Sequence, residues 1–267
     1  MPLPARLTLI VYGEEATIIP MSKHPRVDSS IHDAYEILGG FLDTKLFLTA
    51  EHAEERVPEG FHFRPEDERL RGTHWAYDLG VSELTRELSE ALEAPGVLAR
   101  FTRLLVDPNR AEDEDELFRT EAEGAPVLTN VDLSEAERER RLTGLYRPYH
   151  EAIDTLLERS TAPIVFSVHS FTPVYEGKPR EMELGVLFNR EIELAERLRH
   201  HLEEAGFIVA TNEPYSGALG LIYSAESHAD RHGKHALELE IRQDLAVDPR
   251  ARAKVVAGIE SFIAELP

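Results

Sequence analysis

The sequence predicts an α/β fold with a mostly parallel or mixed central sheet flanked by helices. The main reason is that short apolar strand candidates alternate with amphipathic helices along the chain. Polar residues also collect directly after the strands, and helix start and stop signals lie where the alternation requires them. A chain of 267 residues can form one large domain or two small ones. We expect a single α/β domain over 1–267, with an N-terminal hairpin extension at 1–40.

The individual elements follow in chain order from apolar runs and turn residues. The segment LTLIVYGEEATIIP (7–20) predicts two short strands around Gly13, and the polar segment at 21–30 predicts a linker or loop. The sheet strands are expected at 45–50, 102–107, 163–169, 207–212 and 236–242. The helices are expected at roughly 76–93, 134–159, 189–205 and 249–265.

Three helix ends carry specific signals. Ser134 stands three residues before Glu137, which is the spacing of a capping box at a helix start. Gly206 follows the third predicted helix, where glycine commonly ends a helix. Pro249 stands where the last helix begins, a position that proline favours.

Composition excludes several classes of function. The net charge of −21 argues against binding to nucleic acid or to an anionic membrane surface, because phosphates would be repelled. The chain has no Cys, so a disulfide, a thiolate nucleophile and a Cys-ligated zinc are excluded, and any metal must be held by His and carboxylates. No apolar stretch approaches the roughly 18 residues of a membrane span, and no secretory signal is evident. We expect a cytoplasmic protein without nucleic-acid or membrane partners.

Two histidines follow buried strands at the sheet edge where α/β proteins bind ligands. His52 comes directly after the strand at 45–50, and His169 ends the apolar segment PIVFSVH. Glu55 is spaced i, i+3 from His52, which in a helical turn places both side chains on one side. Catalytic zinc commonly takes two His and one carboxylate. We therefore predict one Zn²⁺ held by His52, His169 and Glu55, with Asp78 as the alternative third ligand.

Each of these residues also has a purely structural interpretation. His52 can belong to a capped surface turn, and His169 can be a core histidine with a satisfied hydrogen bond. Asp78 can be a helix N-terminal carboxylate that interacts favourably with the helix dipole. The collection of polar residues at one sheet edge favours the metal site.

The last predicted strand supplies the candidate general base. Strand alternation places Glu238, Glu240 and Arg242 on one face, opposite Leu237, Leu239 and Ile241. Glu240 lies nearest the carboxyl end between two apolar residues, so we predict that it takes the proton from a metal-activated water. The alternative is an edge strand with one solvated, charged face.

The remaining polar residues predict substrate binding. Asn109 and Arg110 follow the second predicted strand, and the guanidinium of Arg110 suits an acidic or amino-acid substrate because it can pair with a carboxylate bidentately. We assign Arg110 to both catalysis and binding. The other candidates for substrate contact are Ser170, Arg180, Tyr215 and Arg242.

Several segments occur in an order that resembles the N-formylglutamate amidohydrolase family. They span about residues 46 to 246 and are EHAEERVP, THWAYDLG, RLLVDPNR, PYH, VHSFTPVYEGKPR, GVLFN, NEPYSG and ELEIRQDL. The family is related to zinc carboxypeptidases and to the aspartoacylase and succinylglutamate desuccinylase group. The resemblance implies a zinc-peptidase, phosphorylase/hydrolase-like architecture. It also implies metal-dependent hydrolysis of the amide bond of a small N-acyl amino acid, with N-formyl-L-glutamate giving glutamate and formate.

The resemblance also carries over to individual residues. His52 and His169 match the two histidines of the family, Glu240 matches the carboxylate of its final strand motif, and Asn109 and Arg110 match its DPNR-like segment. The family often has Asn at the position of Glu55, so the third ligand stays open between Glu55 and Asp78.

Three other functions remain open at this point. The chain can be an amidase or carboxypeptidase-like hydrolase of larger N-acyl or peptide substrates. It can be a non-catalytic small-molecule-binding relative that kept the cleft. It can also be an acidic scaffold whose histidines are all structural.

Overall fold

An eight-stranded mixed sheet is the centre of the molecule. The computed structural model describes residues 8–12, 15–19 and 25–266. The strands in chain order are β1 (Thr8–Tyr12), β2 (Glu15–Ile19), β3 (Arg26–Val27), β4 (Ser30–Ile31), β5 (Tyr35–Leu38), β6 (Gly40–Phe41), β7 (Leu46–Ala50), β8 (Gly96–Ala99), β9 (Glu121–Ala122), β10 (Ala125–Pro126), β11 (Ile164–Phe171), β12 (Val174–Tyr175), β13 (Lys178–Pro179), β14 (Leu184–Leu187), β15 (Val209–Thr211) and β16 (His235–Arg242). The sheet has the spatial order β15-β14-β16-β11-β7-β8-β5-β4.

The sheet combines both kinds of strand pairing, so the predicted α/β class with a mixed sheet is confirmed. The pairs β7–β8, β7–β11, β11–β16 and β14–β15 are parallel. The pairs β4–β5, β5–β8 and β14–β16 are antiparallel. Two of these strands, β4 and β5, lie between residues 30 and 38, within the segment that the sequence predicted as an extension. Further towards the N-terminus, β1 and β2 pair with each other in antiparallel fashion.

Seven α-helices and one π turn are found in the described residues. They are α1 (Val81–Leu92), α2 (Glu135–Arg141), the π turn Leu142–Tyr146, α3 (Arg147–Leu157), α4 (Ile192–Glu204), α5 (Tyr223–His232), α6 (Gln243–Ala246) and α7 (Pro249–Ala264). None of these helices is both long and apolar enough to cross a membrane.

The three predicted helix ends are confirmed. The hydroxyl of Ser134 accepts a hydrogen bond from the backbone N–H of Glu137 at the start of α2. Pro249 is the first residue of α7, where Asp248 caps the helix. Gly206 follows α4 with a φ of 95°, a left-handed conformation that glycine adopts without a steric penalty.

The predicted strand at 102–107 is wrong, because this apolar segment forms turns. Leu105 N–H donates to the carbonyl of Thr102, and Arg103 N–H donates to the carbonyl of Ala76. An apolar run of this length is buried in either case, and periodicity alone does not distinguish a strand from a buried turn. The fourth strand of the parallel group is instead β8, which lies six residues earlier in the chain. The short apolar segment at 184–187, which carries no prediction, forms β14.

Helices cover both faces of the sheet. On one face, side chains of α1, α4 and α7 form one buried cluster with the sheet, which includes Leu46 and Leu48 of β7. On the other face, side chains of α3 and α5 form a second buried cluster, which includes Phe47 of β7 and Val165 of β11. In β11 the row that begins with Val165 continues through Ser167 and His169 towards the carboxyl end, because successive side chains of a strand alternate between faces. The side chains of Ser167 and His169 therefore lie on the face of the sheet that α3 and α5 cover.

A closely packed glycine, Gly80, follows the candidate ligand Asp78 by two residues. Gly80 precedes α1, has a φ of 78°, and a Cβ built on it would lie 2.3 Å from the carbonyl oxygen of Ala246. We expect Gly80→Ala to lower the free energy of unfolding by about 1–3 kcal/mol more than the control Gly72→Ala, because only Gly80 adds a steric clash. Gly72 has a similar φ of 72°, but no atom lies within 4 Å of the corresponding Cβ. Urea unfolding of both variants measures the difference, and equal losses would contradict the predicted clash.

Candidate active site

The two predicted histidines meet at the carboxyl ends of β7 and β11. His52 Nδ1 lies 3.1 Å from His169 Nδ1, although the two residues are 117 positions apart in the chain. Both side chains are buried. The parallel pairing of β7 with β11 brings these strand ends to the same edge of the sheet, as the sequence predicted.

Asp78 is the carboxylate that joins them. Its Oδ2 lies 2.9 Å from His169 Nδ1 and 3.5 Å from His52 Nδ1. The same oxygen accepts a hydrogen bond from the backbone N–H of Ser170, and the backbone N–H of Asp78 donates to the carbonyl of His52. Two backbone contacts and a buried position therefore fix Asp78 beside both rings.

The three donor atoms have the spacing of one face of a metal tetrahedron. The ligand atoms of His52, Asp78 and His169 all lie within 4.8 Å of one another. Zinc bonds of 2.0–2.2 Å at tetrahedral angles put neighbouring donors about 3.3–3.6 Å apart. The three observed separations of 2.9, 3.1 and 3.5 Å are close to that range. Two imidazoles and a carboxylate are also a donor set that zinc prefers, so the residues fit a divalent metal.

Each ring uses its other nitrogen to contact a buried carboxylate. His52 Nε2 lies 2.7 Å from Asp107 Oδ1, and His169 Nε2 lies 3.0 Å from Glu51 Oε2. A proton on each Nε2 satisfies both carboxylates and leaves two Nδ1 lone pairs facing each other, an arrangement that a cation stabilises. Carboxylate partners of this kind orient histidine ligands in many metal sites.

The electrostatics of the cluster also favour a cation. Burial alone would raise the pKa of Asp78, but attraction and hydrogen bonds from His52 and His169 hold that pKa below its usual value. Burial alone would lower the pKa of His169, but Glu238, Asp78 and Glu51 together raise it well above its usual value. Three buried carboxylates thus surround His169 and favour a positive charge on its ring or beside it.

Arg103 borders the cluster from the turn at 102–107. Its Nη1 lies 3.2 Å from His52 Nδ1, and its Nε and Nη2 donate to Asp107 Oδ2 at 3.1 and 2.5 Å. Burial alone would raise the pKa of Asp107, but the Arg103 guanidinium and His52 hold it well below its usual value. Asp107 thereby fixes a guanidinium beside the donor atoms.

Two glutamates of β16 face the same space. Strand pairing sets Glu240 opposite His169 and Glu238 opposite Ser167, and both glutamates are buried. Burial raises the pKa of Glu238 to about 7. Burial also raises the pKa of Glu240 well above its usual value, and Glu238 adds to this shift while His169 opposes it. Among the described residues no partner hydrogen-bonds to Oε2 of either side chain, so both can exchange protons with a bound molecule.

Glu55 is not brought to the histidines. Its carboxylate accepts a hydrogen bond of 2.6 Å from the backbone N–H of Gly72 and lies 3.9 Å from Arg71. The i, i+3 argument requires a helical turn, whereas residues 53–58 are not helical, so the two side chains diverge. Of the two carboxylates that the sequence left open, the structure places Asp78 in the cluster.

A cavity of about 230 Å³ opens onto this cluster. The predicted site residues that line it are His52, Asp78, Asn109, Arg110, His169, Ser170, Tyr215 and Glu240. Asn109 uses its side chain to bind the backbone of Leu221 and Ser224, so it holds the α5 segment in place. The hydroxyl of Ser170 is buried and has no partner among the described residues, so it remains available to a ligand.

Two predicted arginines lie outside the cavity lining. Arg242 forms hydrogen bonds with Asp244 and with the carbonyls of Arg180 and Met182. It is the last residue of β16, beyond the segment that faces the cavity. Arg180 lies against the rings of Phe171, Tyr175 and Tyr215, at 5.2, 5.0 and 5.8 Å from their centroids. All three rings line the cavity, so Arg180 lies next to the lining residues without being one of them.

Three residues of the cluster carried no predicted role: Glu51, Arg103 and Asp107. A signal existed for two of them, because Glu51 and Asp107 directly follow apolar runs. A carboxylate buried at such a position needs a partner. Arg103 gave no signal, because its role depends on the turn that replaces the predicted strand.

A model of the N-formylglutamate amidohydrolase family matches residues 44–247 of the chain. Two similar relatives are N-formylglutamate deformylases of Pseudomonas. The chain is 28% identical to the Pseudomonas putida protein over 59% of its own length and 66% of the relative's length. It is 28% identical to the Pseudomonas aeruginosa protein over 67% of its own length and 76% of the relative's length. The chain therefore spans just under two thirds of the first of these relatives.

Solved structures share the fold. A gene product from Agrobacterium tumefaciens is 28% identical and superimposes with a TM-score of 0.77, covering 88% of this chain and 94% of that one. The N-formylglutamate amidohydrolase from Ralstonia eutropha is 20% identical, with a TM-score of 0.64 over 87% of this chain and 96% of that one.

Proposed function

Because the chain belongs to the N-formylglutamate amidohydrolase family, we propose that it is a zinc-dependent amidohydrolase of small N-acyl amino acids. The proposed reaction is hydrolysis of N-formyl-L-glutamate to glutamate and formate. The observation that carries the proposal is the convergence of His52, His169 and Asp78 in a cavity that also contains Glu240. The names of the two Pseudomonas relatives support the same substrate.

The proposed metal ligands are His52 Nδ1, His169 Nδ1 and Asp78 Oδ2. Zinc bound there would polarise the acyl carbonyl and lower the pKa of a water molecule towards about 7. Glu240 takes a proton from the attacking water, because its carboxyl group lines the same cavity as the three proposed ligands. Glu240 then passes that proton to the amine as the amide C–N bond breaks.

Two arginines have separate proposed roles. Arg103 Nη1 lies 3.2 Å from His52 Nδ1, so its guanidinium can donate to the negative charge that develops on the acyl carbonyl oxygen. Arg110 lines the cavity, where it donates to the carbonyl of Asn109 at 3.3 Å and lies 3.9 Å from the carboxylate of Glu114, so it is the candidate partner of a substrate carboxylate. Arg119 lines the same cavity and provides another positive charge.

The size of the cavity favours a small substrate. Sites for drug-sized ligands typically enclose about 300–1,000 Å³, and the volume here is about 230 Å³. An N-formyl amino acid fits such a space better than a peptide or a cell-wall fragment. The arginines in the lining add a preference for an acidic amino acid.

A substrate panel tests the proposal. We expect the zinc-loaded protein to hydrolyse N-formyl-L-glutamate with a higher kcat/KM than N-acetyl-L-glutamate, N-succinyl-L-glutamate or N-formyl-L-glutamine. The smallest acyl group fits the cavity, and N-formyl-L-glutamine lacks the second carboxylate that an arginine can bind. Metal analysis of the purified protein tests for bound zinc, and the release of free amine measures hydrolysis of the amide bond.

The same panel separates the alternatives. Preferred cleavage of N-acyl peptides or muropeptides would replace the small-substrate assignment with that of a larger amidase. Binding of N-formyl amino acids without turnover, in a protein that takes up no zinc, would indicate a non-catalytic binding protein.

A further inference from the structure

Glu51 is a buried carboxylate in direct contact with one candidate metal ligand. It directly follows β7 and precedes His52 in the chain, yet its side chain contacts the other histidine. Its Oε2 lies 3.0 Å from His169 Nε2, and the residue is fully buried. The proposed reaction does not use this carboxylate, because it does not line the cavity.

Neutral hydroxyl groups provide the other contacts of Glu51. The Tyr149 hydroxyl donates to Oε1 at 3.0 Å, and the Ser167 hydroxyl donates to Oε2 at 2.5 Å. Within the described part of the chain His169 is the basic side chain within ion-pair distance of Glu51, and no Lys or Arg shares it. The two hydroxyls fix the carboxylate in one orientation and leave its negative charge directed at the His169 ring.

His169 lies between two carboxylates that compete for its proton. Asp78 Oδ2 is 2.9 Å from Nδ1, and Glu51 Oε2 is 3.0 Å from Nε2. A neutral ring that kept its proton on Nδ1 would donate to Asp78 and lose the lone pair that a metal needs. The carboxylate on the Nε2 side opposes that tautomer, because it stabilises a proton on Nε2.

We propose that Glu51 is the positioning residue of His169, which holds a proton on Nε2 and keeps Nδ1 available to the metal. The inference rests on the proposed zinc-dependent function. It assigns the contact between Glu51 and His169 a role in metal affinity in addition to its role in packing. The Tyr149 and Ser167 hydroxyls support that role through Glu51.

The experiment compares zinc binding by the wild-type protein and two variants in competition with a chromophoric chelator. We expect Glu51→Gln to weaken zinc binding by about 10- to 100-fold, the range for partners that orient ligands. Glu238→Gln is the matched control, because Glu238 Oε2 lies 3.6 Å from the same Nε2, beyond hydrogen-bond distance. This control removes a nearby carboxylate but keeps the hydrogen bond between His169 and Glu51. We therefore expect it to lose less zinc affinity than Glu51→Gln.

Proton NMR of the zinc-loaded proteins provides a readout that packing alone would not change. The Nε2 proton of His169 is expected far downfield in the wild type and in Glu238→Gln, and shifted upfield in Glu51→Gln. Thermal unfolding of the zinc-free proteins reports any loss of fold. If Glu51→Gln does not fold, Tyr149→Phe replaces it, since it keeps the carboxylate but removes one of its hydroxyl donors. We then expect a severalfold weaker affinity for zinc.

The possible outcomes separate the two proposals. If Glu51→Gln or its replacement binds zinc as tightly as the wild type, or if Glu238→Gln loses as much affinity, the role of Glu51 is overturned while the hydrolase proposal stands. If the wild type binds zinc but hydrolyses no N-acyl amino acid, the hydrolase proposal fails, and an affinity loss in Glu51→Gln still supports the positioning role. If the wild type binds no zinc, both are overturned.

Discussion

Replacement of Glu240 by glutamine is expected to reduce kcat for N-formyl-L-glutamate by about 10²- to 10⁴-fold, the usual contribution of a general acid–base group. The substitution keeps the shape of the side chain and removes its ability to accept a proton from water. Zinc content should remain unchanged, because Glu240 is not among the three clustered donor residues. We expect kcat and kcat/KM to fall together, since the lost interaction belongs to the transition state.

Arg242→Gln provides the control for this measurement. Arg242 lies two residues further along the same strand, but its guanidinium pairs with Asp244 and not with the cavity. We expect this variant to keep turnover close to that of the wild type. If Glu240→Gln keeps wild-type turnover, Glu240 is not the general base. The next candidate is then Glu238, the other β16 carboxylate in the cavity.

Replacement of Asp78 by asparagine is expected to weaken zinc binding by more than the roughly 10- to 100-fold typical of an outer partner, because a direct ligand loses its charge. Asparagine has nearly the same size and can still accept the backbone hydrogen bond from Ser170, so the fold should persist. Activity should fall with zinc occupancy and should recover in part when zinc is added in excess. Equilibrium competition for zinc gives the affinity, and turnover at saturating zinc gives the residual catalysis.

Glu55→Gln is the matched comparison, because sequence spacing predicts Glu55 and the structure favours Asp78. The side chain of Glu55 is 31% exposed and is bound to the backbone of Gly72, away from both histidines. We expect Glu55→Gln to retain the zinc affinity of the wild type. The reverse result, with zinc lost in Glu55→Gln and kept in Asp78→Asn, would contradict the ligand set.

Much of the site can be predicted because several of its residues follow strands. Apolar runs locate β7, β11 and β16, and parallel strands of one sheet present their carboxyl ends at the same edge. This reasoning is sufficient to bring His52 and His169 together and to place Glu240 next to them. It does not predict Arg103 and Asp107, because the segment at 102–107 is an apolar run that folds as a turn.

The sequence by itself determined the α/β class, the helix ends at Ser134, Gly206 and Pro249, and the candidate histidines, because these depend on local periodicity and on residue types with strong conformational preferences. Only the tertiary structure shows that Asp78, and not Glu55, lies beside the two histidines, and that each imidazole has its own carboxylate partner. Those contacts join residues 91, 55 and 118 positions apart. No local pattern encodes them, since they arise from how strands, turns and helices pack around one buried cluster.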